Sequence, residues 1–550
     1  MKTKRWDVRP RHPDAEKIGE ELGVSNLVAQ VLANKGLGIE EAKKFLEASL
    51  SELLDPFLMQ NMNDFVSRIE KAREEGQKVM VYGDYDVDGI VSTVMVVKAL
   101  REIGIDCFYY IPNRLIEDYG LGKKGIDYAK EKGARLIISV DCGINAREEV
   151  DYAREKEIDI LITDHHEIES RPDVPFLNPK GDAYPFEELA GTGVVLKLVQ
   201  ALRDEFEINN FEEYLGLAAI GTVSDVVPLL GENRVIVKNG LVFLRHTKNK
   251  GLEALKNVIG INEVESADIS FKIGPRLNAT GRLGDADLGV RLLLEEGDVE
   301  KIATTLDKKN KIRQKIERKA LEEAEDEILR DEKYKDKFIV VGGKGWHRGV
   351  IGIVASRIVE KFHKPALVIA KEEEVSHGSG RSITNFNLFE ALSNCKNYFE
   401  SFGGHEMAAG LSIKNKNIDK FRKKVNEYVE NNYGEEDLMP VQKIDISVPL
   451  SKVKEEDIQD LEKLRPFGIG NPRPVFCSNG LSVKGVRVLK DKHLKLNLGD
   501  NVGAIGFNMA GLKSRVEESK EDLRMCYSPR LSKFRKGDIE LRIKDIKKGN

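Results

Sequence analysis

Between residues 76 and 297, apolar runs of strand length alternate with amphipathic stretches. KVMVYGD, IDCFYYIP, ARLIISVD and IDILITD are the strand candidates, and segments such as DYAREKEI between them carry helical spacing. The alternation predicts βαβ units around a parallel sheet. A second alternation occupies 336–435, with FIVVGG, then VIGIVASRIVEKF, then ALVIA. Between the two, residues 298–335 are rich in Lys and Glu with apolar residues at helical spacing, and residues 298–333 contain neither Gly nor Pro. That segment predicts a long exposed helix joining two lobes. Residues 440–550 change character. LSVKGVRVL, LKLNL, VGAIGF and DIELRIKDI are short strand-like runs split by turns, which predicts a small β-barrel. Residues 1–75 read as short capped helices, SNLVAQVLANKG among them, expected to pack on the first lobe. The expected fold class is α/β: a parallel-sheet domain joined by a long helix to a smaller α/β domain, plus a C-terminal barrel.

A chain of 550 residues is too long for one core, which agrees with this division. At 41% apolar and 33% charged residues it suits a soluble globular protein. MKTKRWDVRPRHPDAEK has no apolar core of a signal peptide, and no apolar run reaches transmembrane length. Five scattered cysteines without C-x-x-C spacing favour reduced thiols, so the expected setting is cytoplasmic. The net charge of −5 does not point to a polyanion, but residues 481–550 carry 17 Lys+Arg against 9 Asp+Glu. That local excess suits a nucleic acid.

VYGDYDVDGIVS places Asp84, Asp86 and Asp88 at alternate positions before Gly89, as a calcium-binding EF-hand loop does. Such a loop needs a bidentate Glu twelve positions on, where this chain has Met95, and it follows a helix rather than a strand. The calcium reading fails on both counts. Other strand candidates also end in acids: LIISV leads to Asp141, and ILIT to Asp164, His165 and His166. The carboxyl ends of parallel strands converge on one crevice. Several carboxylates gathered there repel one another unless cations relieve them, and a carboxylate–imidazole set suits Mn²⁺ or Mg²⁺. Asp225, in GTVSDVVPL, is a further candidate; a helix cap or a paired acid would explain it equally well. A surface loop is the plain alternative for the histidine pair.

DYDVDG, DCG, DHH and SDVVPL, in that order, resemble the DHH phosphoesterase superfamily, and GWHRGVIGIVASRI, GSGRS and FGGHEMAAGLSI resemble its DHHA1 domain. IPNRLIEDYGL, KIGPRLNATGRLGDA and LRPFGIGNPRPVF narrow the resemblance to the RecJ family of single-strand-specific 5′→3′ DNA exonucleases. The resemblance implies an N-terminal helical segment (1–75), a DHH catalytic domain (76–297), a connecting helix (298–335), a DHHA1 domain (336–435) and an OB-fold (440–550). It implies two divalent metals, Mn²⁺ or Mg²⁺, on Asp86, Asp88, Asp141, His165 and Asp225. Asp84 and Asp164 would support or coordinate, and His166 would lie near the scissile phosphate. Ser379, Arg381, Asn278, His347, Arg348 and His405 would line the substrate cleft. Arg276 and Arg282 both fit the basic position of GPRLNATGR. The sequence departs from the family's pattern at DHHEI, where proline is common, and at His377 before GSGRS; neither touches a matched ligand.

The implied activity is hydrolysis of single-stranded DNA to 5′-mononucleotides, in DNA repair and recombination. A monomer is expected, with single-stranded-DNA-binding protein and a RecQ-type helicase as partners. In the barrel, Lys484, Arg487, Lys490, Lys492 and Lys495 with Phe507, Tyr527 and Phe534 are candidates to hold a single strand; a solvated lysine face over core aromatics is the alternative. Two competing functions are a DHH phosphoesterase for short oligonucleotides or cyclic dinucleotides, and a non-catalytic DNA-binding scaffold, which would be expected to lack part of the ligand set.

Overall fold

The computed structural model describes residues 4–549 apart from 115, 118, 119, 182, 500 and 533–536. Phe534 thus lies outside the described residues. The four predicted strands of the first lobe form at Val79–Gly83, Cys107–Tyr110, Leu136–Val140 and Asp159–Thr163, and Phe176–Leu177 adds a fifth. All pair in parallel, with Val79–Gly83 between Cys107–Tyr110 and Leu136–Val140. The chain leaves Val79–Gly83 in one direction and returns on its other side, so the sheet has a switch point there. Asp84 and Asp141 follow the two strands that flank it. Both faces of the sheet are covered, which is why its strands read as apolar runs rather than alternations.

The predicted connecting helix spans Val299–Arg330, 32 residues or about 48 Å. It is not simply exposed. Val299, Ile302, Ala303 and Leu306 enter the core of the first lobe, whereas Ala320, Ala324 and Ile328 enter that of the second. One stripe of a single helix therefore fixes the spacing of the two lobes. The second lobe is a five-stranded mixed sheet, in which Ile339–Lys344 pairs in parallel with Ala366–Lys371, and Val375–Arg381 lies at the centre of the order. The C-terminal residues form a mostly antiparallel seven-stranded sheet around its own core.

The N-terminal segment divides, contrary to its expected docking on the first lobe. The helix Met62–Glu74 packs there through Met62, Phe65, Ile69 and Ala72, with Leu53, Leu54 and Met59 before it. Ala15, Ile18, Val28, Leu32 and Phe45 share a core with Ile458, Leu464 and Phe476 of the C-terminal domain. Arg5–Val8 also pairs in parallel with Val441–Ile444. An amphipathic pattern shows that a helix face is buried, not what buries it. Removing residues 440–550 would strip the core from the N-terminal helices as well.

Arg234 ties the three parts together. Fully buried on the helix Gly231–Arg245, it donates to the carbonyls of Phe45, Leu464 and Arg465 at 2.6, 3.1 and 2.8 Å, and its guanidinium lies 3.7 Å from the centre of the Phe45 ring. Glu232, two residues earlier, accepts from Leu54 N and Tyr184 Oη and pairs with Lys197, which pins the intervening linker. Arg234→Ala takes a donor from three carbonyls, of which Leu464 O keeps Asn471 Nδ2, and is expected to cost about 3 kcal/mol. Chemical denaturation should show a lower midpoint, and protease should cut faster between the N-terminal helices and Met62; an unchanged midpoint would refute this role.

Candidate metal centre and active cleft

Each predicted ligand arrives near the end of a strand or helix, Asp86 and Asp88 at the same helix start. Asp86 caps the helix Val87–Glu102, its Oδ1 accepting from the N–H groups of Asp88 and Gly89 at 2.9 and 3.2 Å. The alternating aspartates therefore open a helix, as their place after a strand requires. Asp88 lies in the first turn of that helix and is buried. Its two oxygens accept from Gly191 N at 2.7 Å and Thr192 N at 3.0 Å, at the N-terminus of Gly191–Phe206. The N-terminal amides of that helix thus stabilise a buried carboxylate. Asp141 has φ of +59°, a left-handed conformation that costs energy in a non-glycine residue. Asp225 is the C-cap of Phe211–Ser224, which bears out the cap reading, and its carboxylate also faces the cluster.

These groups meet at His165. Its Nε2 lies 3.3 Å from Asp141, 3.6 Å from Asp225 and 4.0 Å from Asp88. The Leu189 carbonyl is hydrogen-bonded to the ring, while Nε2 itself has no hydrogen-bond partner. Burial and the adjacent His166 push His165 down to about 3, so the imidazole is neutral. Burial and mutual repulsion raise the carboxyls: Asp88 to about 6, Asp225 to about 9, and Asp84 and Asp141 well above the usual range. Three candidate ligand groups occur among the described residues: Asp84 with Asp86 and Asp141, Asp88 with His165 and Asp225, and Asp141 with His165 and His166. Buried Oδ1 atoms of Asp84 and Asp141 lack hydrogen-bond partners among the described residues. Orphaned oxygens, a neutral imidazole and unrelieved repulsion fit two hard or borderline divalent cations. Asp84 stands among the prospective ligands as closely as Asp86 does.

Asp164 has a different part. It accepts from the N–H groups of Ile144, His165 and His166, and from His166 Nδ1 at 2.6 Å. Its oxygens are thus engaged in orienting the histidine pair. Burial alone would lower His166, but the Asp164 bond and charge raise it above its ordinary value.

The second lobe sets Arg381 against these acids, and the first lobe sets Arg282. Arg381 Nη1 bonds Ser379 Oγ at 3.1 Å and the Gly380 carbonyl at 2.7 Å. Gly352 lets the helix Arg348–Phe362 approach both residues, since a Cβ there would sit 2.9 Å from Arg381 Nη2 and 3.0 Å from Ser379 Oγ. His347 caps that helix through the Gly349 N–H. Arg282 Nη1 reaches the Gly349 carbonyl at 2.9 Å, directly across the cleft. Arg276 does not reach it: Asp307 on the connecting helix holds its Nε and Nη2 at 3.0 and 2.8 Å, and Nη1 donates to Lys272 O. Arg348 is likewise committed, with Glu372 at 2.6 Å through two nitrogens. His405 is exposed; its charge, with that of His166, adds to the Lys180 bond in holding Glu167 below the usual carboxylate range. Asn278 lines a pocket beside Arg282. Burial and the guanidiniums of Arg114 and Arg313 push Arg282 down to about 10.

Sequence reasoning missed Arg114 and the Gly191–Thr192 amides. Arg114 lies over the Tyr85 ring and beside Asp84, Arg282 and Arg381. Its signal was a lone arginine in IPNRL; that of the amides was Gly-Thr-Gly opening an apolar helix. In the barrel, the five basic candidates are exposed and Phe507 is 47% exposed beside Arg542. Tyr527 is buried against Phe476 and belongs to the core, not to a binding face.

Three family profiles match the chain: the DHH family, N-terminal domain, over 78–222; the DHHA1 domain over 335–431; and the RecJ OB domain over 444–545. The single-stranded-DNA-specific exonuclease RecJ of Bacillus subtilis is 39% identical over 93% of this chain and 67% of its own length. Its namesake from Salmonella typhimurium is 32% identical over 97% of each. Among solved structures, RecJ in complex with Mn²⁺ from Thermus thermophilus aligns with a TM-score of 0.87 at 27% identity, over 99% of this chain and 80% of that one. The same protein with Mg²⁺ gives 0.81.

Gly191→Ala tests the cradle. The added Cβ would sit 2.8 Å from Asp141 Oδ1 and 2.9 Å from Asp88 Oδ2. Calorimetric titration should show Mn²⁺ affinity falling roughly 10- to 100-fold, the usual effect of disturbing the groups behind metal ligands. Wild-type affinity in the variant would rule out this geometry.

Proposed function

The chain belongs to the RecJ family, and on that premise we propose that it is a metal-dependent, single-stranded-DNA-specific exonuclease that digests 5′→3′ and releases 5′-mononucleotides in DNA repair and recombination. The observation that carries this reading is an acid–imidazole cluster at the strand ends faced by Arg381 of the opposite lobe, with Arg114 and Arg282 of its own lobe beside it. Asp84, Asp86, Asp88, Asp141, His165 and Asp225 would hold two divalent ions, Mn²⁺ or Mg²⁺. Bound there, the pair supplies Lewis acidity and a water acidic enough to attack phosphorus at neutral pH.

The chain's own side chains do the rest. His166, oriented by Asp164 and favoured in its protonated form, donates to an oxygen of the scissile phosphate. Arg381 with Ser379, Arg282 and Arg114 offers charged N–H groups to a terminal 5′-phosphate. His347 and Asn278 are close enough to contribute. Arg348 and His405 act at the cleft mouth. The exposed lysines of the barrel hold the strand beyond. Cytoplasmic DNA, single-stranded-DNA-binding protein and a RecQ-type helicase fit this role as setting and partners. Among the described residues no helix is long and apolar enough to cross a membrane.

A time course on strands labelled at either end tests the reaction. Single nucleotides should appear at once from a 5′ label and last from a 3′ label, with blunt duplex and cyclic dinucleotides resistant; faster cleavage of cyclic dinucleotides would favour the smaller phosphoesterases. Asp225→Ala should reduce kcat at least 10²-fold, roughly the scale of lost electrostatic stabilisation, and intact activity would refute the metal assignment. Replacing Lys484, Arg487 and Lys495 with glutamine should reduce the salt dependence of strand binding by about one unit of slope for each phosphate no longer neutralised. An unchanged slope would place the strand elsewhere.

A further inference from the structure

A pocket of about 160 Å³ opens beside Asp225, lined among others by Ser224, Val226, Asn278, Arg282, Arg313 and Ile353. The first lobe, the connecting helix and the second lobe all contribute to it. Its polar part is cationic. Arg282 has no ion-pair partner among the described residues. Arg313, one-tenth exposed, bonds Asn310 Oδ1 at 3.3 and 2.9 Å and Glu317 at 2.6 Å. These bonds use three of the five N–H groups of a guanidinium. Ser224 Oγ is buried there without a hydrogen-bond partner.

The rim is apolar and unusually shaped. Val226 has φ of +68°, an outlier for a β-branched residue, and is 60% exposed. Phe271 follows Ser270, another lining residue, and is 79% exposed. It sits on a π-helical turn, Ile269–Ile273, whose end residues are buried. Such turns are rare and frequent at functional sites. Guanidiniums and a hydroxyl in the pocket, with an exposed aromatic one residue along the chain from its lining, match the chemistry of a nucleotide: phosphate inside, base on a ring.

We propose that this pocket is the subsite next in line after the metal centre, with Arg313 contacting the first phosphate 3′ of the scissile one and Phe271 stacking a base beyond it. The proposal rests on the exonuclease reading. An enzyme that removes one nucleotide at a time from a 5′ end has all its further subsites on the 3′ side of the cut, and this pocket adjoins a prospective metal ligand.

Full-length protein in EDTA, titrated with 5′-phosphorylated oligothymidylates and followed by anisotropy, tests it. A dinucleotide ends before the proposed contacts; a pentanucleotide reaches them. Wild type should bind the pentanucleotide more tightly. Phe271→Ala, which changes an exposed side chain, should lose about 5- to 100-fold of that gain, and Phe271→Trp should restore it. A fluorescent purine at the third position should be quenched by wild type and by the tryptophan variant but not by the alanine variant. Arg313→Gln should lower the salt slope for the pentanucleotide by about one. If Phe271→Ala keeps the whole gain, the base platform is wrong; if Arg313→Gln keeps the slope, the phosphate contact is wrong. Wild type that binds the pentanucleotide no more tightly than the dinucleotide overturns this subsite, whereas failure to digest labelled single strands with Mn²⁺ overturns the exonuclease reading itself.

Discussion

Carboxylates crowded below the surface are the constraint from which the first lobe is built. Ligand oxygens of Asp84, Asp86 and Asp141 lie within 4.8 Å of one another. At an effective dielectric near 20, two such charges repel by roughly 3 kcal/mol. A hydrogen bond to a charged group returns about 1.5–3 kcal/mol. The amides of Gly191 and Thr192 therefore offset one repulsive pair at Asp88, not the whole set. Without cations the cluster relieves itself by taking up protons, which the raised Asp84, Asp141 and Asp225 express. The parallel sheet supplies the scaffold, because strand ends on either side of a switch point bring acids together from distant parts of the chain.

A cluster of the opposite sign answers these acids, drawn from all three parts: Arg114 and Arg282 from a loop and a helix of the first lobe, Arg313 from the connecting helix and Arg381 from a strand of the second lobe. Burial together with neighbouring guanidiniums lowers Arg282 and Arg381. Neither cluster is comfortable by itself. The connecting helix sets where Arg381 stands against the acids, because one stripe of it is anchored in both cores. The Arg282–Gly349 bond closes the remaining gap.

What was legible in the sequence was local. Acids after apolar runs marked strand ends, and the rule that such ends converge gathered Asp84, Asp86, Asp88, Asp141, Asp164, His165 and His166; choosing Asp86, Asp88, Asp141 and His165 among them as ligands rested on the family resemblance. Arg276 and Arg282 could not be separated, because a choice between them depends on rotation. Six residues apart on one helix, they stand about 120° apart around its axis, one toward Asp307 and one toward the cleft. Arg114, in a loop without periodicity, gave no pattern to read. Tyr527 and Phe507 looked alike as aromatics near basic residues, but one lies inside a strand of the sheet and the other beyond the end of one. The docking of residues 15–45 on the C-terminal domain depended on partners more than 400 residues away, such as the Asp445 carbonyl that accepts from Asn34 Nδ2.

Those distant partners bear on the chemistry. The loop containing Ile469 and Gly470 packs on Pro228 and Leu230, and Leu229 N donates to the Ile469 carbonyl at 2.8 Å. That stretch begins three residues after Asp225. Arg465 pairs with Glu265, and Ser266 Oγ donates to Phe467 O, on the helical segment that leads to Phe271. The C-terminal domain therefore touches both chain segments that flank the pocket beside Asp225. Its contribution is more than a basic surface at a distance: by bracing the segment after one prospective ligand, it helps to hold Val226 in a strained conformation that an isolated loop would relax. The barrel and the metal centre are in this sense one mechanical unit, with Arg234 as the bond that keeps them so.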